Sequence, residues 1–264
     1  MLSSFTGFTN QSGTDFGERM LNTVASQSIR HLFTRSEAVD VAVRCYPSSK
    51  LLQGVIDNFK MSGRGLVIRR AFEVQEMAFE TDAVSIDVGA VLSGKLRLKQ
   101  PTQAVAQVVL TEDAINRAFK AELVQRRLVG VKLDALTNLS GGEPVSFKDV
   151  KLTLLPDNQV KVSANTDLPN RQDVPISLLA TLAVEKRRRI SFDNPQFDPE
   201  GLPESIHGLS EIVTTAFAQV LNDMVDLDRF DLDGVVMRIN RLETKGKTLV
   251  FSGYAQVEHF PGNG

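Results

Sequence analysis

The residues of this 264-residue chain whose types could do chemistry are three histidines, one cysteine, a glycine-containing turn, an acidic run and a basic run. His31, His207 and His259 lie far apart and have no cysteine or carboxylate partners at ligand spacing, so no metal site is expected. Cys45 is the only cysteine, which excludes an intrachain disulfide. It follows Val39, Val41 and Val43 at every second position, so it reads as a small buried hydrophobe on a strand and not as a nucleophile. There is no G-x-S-x-G elbow. Ser62-Gly-Arg-Gly65 lacks the third glycine of a dinucleotide loop and the Gly-Lys-Ser/Thr of a phosphate loop, and reads as a tight turn or bulge. In Asp226-Leu-Asp-Arg-Phe-Asp-Leu-Asp-Gly234 a calcium loop counted from Asp226 would need glycine at Asp231 and glutamate at Met237. Counted from Asp228, the glutamate position is Ile239. An acidic solvated loop is the reading that remains. With no convergent nucleophile, acid or base, no enzyme and no cofactor are expected.

The basic run Glu185-Lys-Arg-Arg-Arg189 admits two compatible readings. Lys186, Arg187, Arg188 and Arg189 would meet anionic headgroups, worth about 1 kcal/mol each near a membrane surface. Alternatively, they keep a hairpin tip solvated between two strongly apolar strands. The formal charge of −2 and pI near 6.0 lack the basic excess of a phosphate-binding surface, so nucleic acid is not an expected partner. Fifteen Phe, two Tyr and no Trp favour a core or pocket of aliphatics and Phe over base or sugar stacking. The first ten residues lack the basic and apolar regions of a signal peptide, and no stretch reaches the roughly 18–20 apolar residues of a membrane span. The expectation is a soluble cytoplasmic chain with, at most, weak peripheral contact with an anionic membrane.

Positioning elements follow from periodicity. Residues 1–14 read as a flexible tail and 259–264 as another, around one domain over 15–258. Phe16, Met20, Leu21, Val24, Ile29 and Leu32 share one face of a helix over 15–33. A strand at 39–45 follows, then two more within 51–80 joined through Ser62–Gly65. Clean alternation marks strands at 84–88 and 95–99, and 103–110 is apolar on both faces. Thr111 caps a helix predicted to run to Arg127 and to bury Ile115, Ala118, Phe119 and Leu123. Strands are predicted at 146–155, 159–166, 174–185, 234–242 and 248–258, with a turn at Pro156-Asp-Asn158.

Val174, Ile176, Leu178, Ala180, Leu182 and Val184 give a strand whose eleven residues span roughly 35 Å. Ile206, Leu209, Ile212, Val213, Phe217, Val220, Leu221 and Met224 form the apolar stripe of a helix over 203–225, with Pro203 at its first position. That helix is also roughly 35 Å long. The fold class implied is α+β: an elongated, strongly curved antiparallel sheet around a long C-terminal helix. Such a helix either fills its groove or leaves an apolar slot walled by Leu178, Leu182, Leu209, Val213, Phe217 and Val220.

Leu51-Leu-Gln-Gly-Val-Ile-Asp, Ser62-Gly-Arg-Gly-Leu, Pro101-Thr-Gln-Ala and Leu110-Thr-Glu-Asp-Ala-Ile-Asn-Arg-Ala resemble segments of the bacterial LmeA-like phospholipid-binding family. Leu227-Asp-Arg-Phe-Asp-Leu-Asp-Gly and the closing strands ending Val250-Phe-Ser-Gly-Tyr-Ala are similar to that family's last segment. The resemblance covers roughly 37–258. It implies a fold like the tubular lipid-binding proteins, and non-catalytic binding or transfer of a phospholipid or other acyl-chain ligand. The competing reading is a cytoplasmic interaction or scaffold protein with a self-filled core, using helix 15–33 as its partner surface.

Overall fold

The computed structural model describes residues 16–47, 49–68, 70–227 and 234–259. The expected tails, except His259, and most of the acidic loop after Asp226 lie outside the described residues.

Helix α1 (Phe16–Arg30) precedes strand β1 (Ala38–Arg44). A one-turn helix α2 (Ser49–Leu52) and short strand β2 (Val55–Ile56) lead into the hairpin β3 (Asn58–Ile68) and β4 (Phe72–Thr81). Short strand β5 (Val84–Ser85) and helix α3 (Val88–Leu92) follow, then β6 (Thr102–Thr111). Three short helices, α4 (Glu112–Ala118), α5 (Glu122–Gln125) and α6 (Thr137–Ser140), connect to a four-strand meander. Its strands are β7 (Ser146–Leu154), β8 (Gln159–Leu168), β9 (Arg171–Glu185) and β10 (Arg189–Phe197). The long helix α7 (His207–Met224) and the hairpin β11 (Val235–Lys245) and β12 (Thr248–Val257) complete the chain.

The class is α+β with curved antiparallel sheets, as expected, but the strands divide into two large sheets. One has the order β1-β3-β4-β6-β12-β11, the other β10-β9-β8-β7, and β2 pairs with β5 alone. Two cores result. Helix α1 buries Leu21, Val24, Ala25 and Ile29 against the six-stranded sheet. Helix α7 packs on β9 and β10 and buries Val213, Phe217, Val220, Leu221 and Met224 over the four-stranded sheet. The Phe217 ring lies 4.6 Å from that of Phe147 on β7.

Several expectations need correction. Ser62–Gly65 lies inside β3: register is unbroken across it, Gly65 has φ +58, and the turn comes after Ile68, with Arg70 at φ 62. Residues 95–99 form no ladder strand, although Leu96 and Leu98 are buried and Leu98 bridges Ile86. The helix predicted over 111–127 breaks at Ala121, whose ψ is 138, leaving Leu123 half exposed. Thr111 caps α4 as expected, its Oγ1 accepting from Ala114 N at 3.0 Å. Pro203 precedes a 3-10 turn over Glu204–Ile206, so the α-helical part of α7 is 18 residues, about 27 Å. Strand β9 is longer than predicted, 15 residues or about 50 Å. The two elements nevertheless run in step. Ser210 Oγ donates to Pro175 O at 2.8 Å, and Asn222 Oδ1 accepts from Phe192 N, the residue opposite Leu182, at 2.7 Å. Between these ties the helix rises about 18 Å and the strand about 23 Å.

Hairpin tips lock the sheets together. Asp157 and Asn158 both have positive φ, and Asn158 exchanges three hydrogen bonds with β11: its N and Oδ1 with Thr244, its Nδ2 with Leu242 O. At the β9–β10 tip, Arg187 O accepts from Ile239 N at 2.6 Å, where β11 slips register against β12. Opposite that slip stands Gly253, where a Cβ would fall 1.8 Å from Arg238 O, so only glycine fits.

Replacing Phe217 with Asp removes the ring from a fully buried contact and leaves a carboxylate there. The expected cost is at least about 3–5 kcal/mol. Thermal unfolding checks it: an unchanged melting temperature would contradict this packing.

Candidate functional site

The six residues expected as acyl-chain walls are brought together by α7 and β9. Leu178, Leu182, Val213, Phe217 and Val220 are buried in one cluster, and Leu209 is partly buried against it. Their neighbours include Phe147, Val162, Ile176 and Leu221. Two hydroxyls, of Thr166 and Thr214, are buried without a partner among the described residues.

The basic run is mostly engaged within the protein. Lys186 and Arg187 hold positive φ at the hairpin tip, and Arg188 N donates to Glu185 O at 3.1 Å. Arg187 hydrogen-bonds Asn240 Oδ1 and lies 5.8 Å from the Tyr254 ring centroid. Arg188 and Arg189 approach the buried Asp226 carboxylate at 4.0 and 3.7 Å. Lys186 extends into solvent, its ammonium 3.9 Å from Glu185. These side chains therefore pin the tip of the four-stranded sheet to β11 and to the end of α7.

Space is found on the other core. A cavity of about 10 Å³ lies between α1 and the six-stranded sheet, walled by Leu21, Val43, Ile56, Phe59, Phe79, Thr81, Val84, Ile86, Leu96, Thr102 and Val257. That volume is about the room one water needs, yet nine of the eleven walls are aliphatic or aromatic, which leaves little to bond a water. Its walls come from three sources. Leu21 belongs to α1, and Val43, Phe59, Phe79, Thr81, Thr102 and Val257 belong to the sheet. Ile56, Val84, Ile86 and Leu96 belong to the small lobe built on β2 and β5. Phe59 and Phe79 meet edge to face at 6.2 Å.

Helix α1 is tied to the edge of this sheet by polar side chains. Glu18 Oε1 accepts from Cys45 N at 2.8 Å and Asn22 Oδ1 from Val43 N at 2.7 Å. Farther along, Arg30 Nη2 reaches Val39 O at 3.5 Å, so the helix runs antiparallel to β1. Neither the cavity nor these ties is visible in the sequence as a motif. One signal was there: Asn is a poor helix former, so Asn22 within an apolar stripe implies an external bond.

Cys45 is buried, as its alternation implied, with Sγ 3.3 Å from Val55 O. Burial raises its thiol pKa above the usual value, and the nearby Asp57 and Glu18 carboxylates push in the same direction. Among the described residues no three His, Cys, Asp or Glu side chains gather at metal-binding distance. His207 Nε2 sits 2.9 Å from Leu202 O, and its ring packs edge-on to Phe197. Among the described residues no helix is long and apolar enough to cross a membrane.

A family model described as LmeA-like phospholipid-binding matches residues 13–253. No curated protein and no solved structure matches the chain.

A thiol so placed is protected in the native state. Labelling of Cys45 by a soluble disulfide reagent is expected to be slow and to become fast on denaturation. Rapid stoichiometric labelling of the native protein would contradict this environment.

Proposed function

The chain belongs to the LmeA-like phospholipid-binding family, and from that premise we propose that it binds a phospholipid without reacting with it, an acyl chain lying in the apolar interior beneath α1. The observation that supports this reading is the cavity with its apolar walls and its helical cover. Pockets for lipid-sized ligands measure about 300–1,000 Å³, far more than the room present. A wall must therefore yield. The sheet wall is held by continuous backbone ladders and the lobe by the β2–β5 pair and the Ile86–Leu98 bridge, whereas α1 is held by Glu18, Asn22, Arg30 and an apolar stripe of four buried residues. Helix α1 is the wall that gives way. Its lost contacts are offset by the ligand, since each methylene taken from water gains about 0.8 kcal/mol. A lipid held this way is shielded from water, which suits transfer between membranes.

A second reading places the acyl chain between α7 and β9, where Leu178, Leu182, Leu209, Val213, Phe217 and Val220 meet. The unpartnered hydroxyls of Thr166 and Thr214 in that core speak for it. The Phe147–Phe217 ring contact and the burial of five of the six residues favour an interior filled by its own side chains.

The absence of tryptophan separates these readings cleanly. A Phe79→Trp variant carries its only indole at the wall of the cavity, and Phe217→Trp carries it in the α7 core. A phospholipid brominated along its acyl chain is expected to quench the first by more than about half at saturation, at the contact distances of a filled pocket. Quenching of the second alone would move the site to α7. Quenching of neither would leave a scaffold with a self-filled core.

A further inference from the structure

We propose that the lobe roofing the cavity, residues 45–47, 49–57 and 84–99, is a docking surface for an anionic phospholipid bilayer. The choice of partner rests on the phospholipid reading above; the surface itself is read from exposure and charge. Three large apolar residues stand out into solvent here: Tyr46 at 84%, Leu52 at 82% and Leu92 at 72% exposed. They are the most exposed of the large apolar residues described, and all belong to this one lobe. Large apolar side chains held in solvent on one lobe are candidates for an interaction site.

The lobe is rigid enough to present them. Val55 and Ile56 pair with Ser85 and Val84, and Ile86 N donates to Gly54 O at 2.7 Å. Asp57 braces the first segment, accepting from Tyr46 N at 2.7 Å and from the Lys50 ammonium at 2.6 Å. Asp87 caps α3, which carries Leu92, by accepting from Ala90 N. Both carboxylates of the lobe are thus turned to bonds within it.

The cations are arranged differently. Lys95, Arg97 and Lys99 alternate with the buried Leu96 and Leu98, so their side chains leave the same side of an extended segment. Asp87 N donates to Arg97 O, and Lys99 N donates to Ser85 O, both at 2.9 Å, which fixes that segment against β5. All three side chains are exposed, and none forms an ion pair among the described residues. With Lys50 they outnumber Asp57 and Asp87, making the lobe positive on a chain whose net charge is −2. This contrasts with Arg187, Arg188 and Arg189, which are engaged inside the protein.

A lobe that carries both exposed apolar tips and unpaired cations matches a bilayer, whose headgroups take the charge while the acyl boundary takes Tyr46, Leu52 and Leu92. The inner side of the same lobe supplies Ile56, Val84, Ile86 and Leu96 to the cavity. A lipid leaving the bilayer at this surface meets the lobe that supplies four of the cavity's walls.

Flotation with vesicles of phosphatidylglycerol and phosphatidylcholine in equal parts tests the proposal. Wild type is expected to float with these vesicles, and much less with pure phosphatidylcholine or at high salt. The triple variant Lys95→Gln, Arg97→Gln, Lys99→Gln should lose about a hundredfold in affinity, about fivefold per cation. The double variant Leu52→Asp, Leu92→Asp should also fall off the vesicles. Both should keep the wild-type melting temperature, because the altered side chains are exposed. Equal flotation of wild type and both variants would overturn the proposal, as would loss of flotation only on replacing Lys186 with Gln. So would failure of wild type to float. In a Phe79→Trp background, a soluble short-chain brominated phospholipid reports the cavity separately. Quenching retained in the docking variants shows that the docking surface and the cavity act independently, while no quenching in the Phe79→Trp protein with flotation intact condemns the cavity alone.

Discussion

Each large sheet ends in strands whose outward N–H and C=O groups need partners, and helices and a hairpin tip supply them. Along β1 the donors of Val43 and Cys45 are taken by Asn22 and Glu18 of α1. Along β7, Asn116 of α4 accepts from Leu152 N and donates to Leu152 O, while Glu112 accepts from Leu154 N. Along β10, Asn222 of α7 takes Phe192 N. On β11 the hairpin-tip carbonyl of Arg187 takes Ile239 N. Such bonds are worth only about 1 kcal/mol net, but a buried donor without one costs about 1–3 kcal/mol. Edge satisfaction therefore helps to set where α1, α4 and α7 lie, and α1 and α7 then cover the cores beside them.

The two cores answer this constraint differently. Helix α7 is held at both ends, by Ser210 and by Asn222, and its Phe217 meets Phe147 in a filled interior. Helix α1 is tied along one sheet edge, and a void remains between its Leu21 and the strands. A cover fixed along one edge can swing without breaking a ladder. On the proposed reading, the core around Phe147 and Phe217 holds the fold and the void beneath α1 takes the ligand.

Much of this was legible in the residues. The alternation over 174–184, the stripe ending at Met224 and the Thr111 cap correspond to β9, α7 and the start of α4. Family membership was legible in short segments that need their backbone shape, such as the Ser-Gly-Tyr around Gly253. The split into two sheets was not, because alternation reports burial on one face and is silent about which strand lies alongside. Likewise Lys95-Leu-Arg-Leu-Lys99 alternates like a strand, yet it is an extended segment held by a few bonds to β5. The cavity was hidden for the same reason: Leu21, Phe79, Leu96 and Val257 converge only through tertiary contacts. The basic run attracted attention by its density, whereas the unpaired cations are spaced two apart and look ordinary in one dimension.

Amide hydrogen exchange, with and without a saturating phospholipid, tests most directly whether α1 is the yielding wall. The expected result is a change in protection over α1 and at the amides of Val43 and Cys45, with the amides of α7 unaltered. A change confined to α7 and β9, with α1 protected equally in both states, would contradict it.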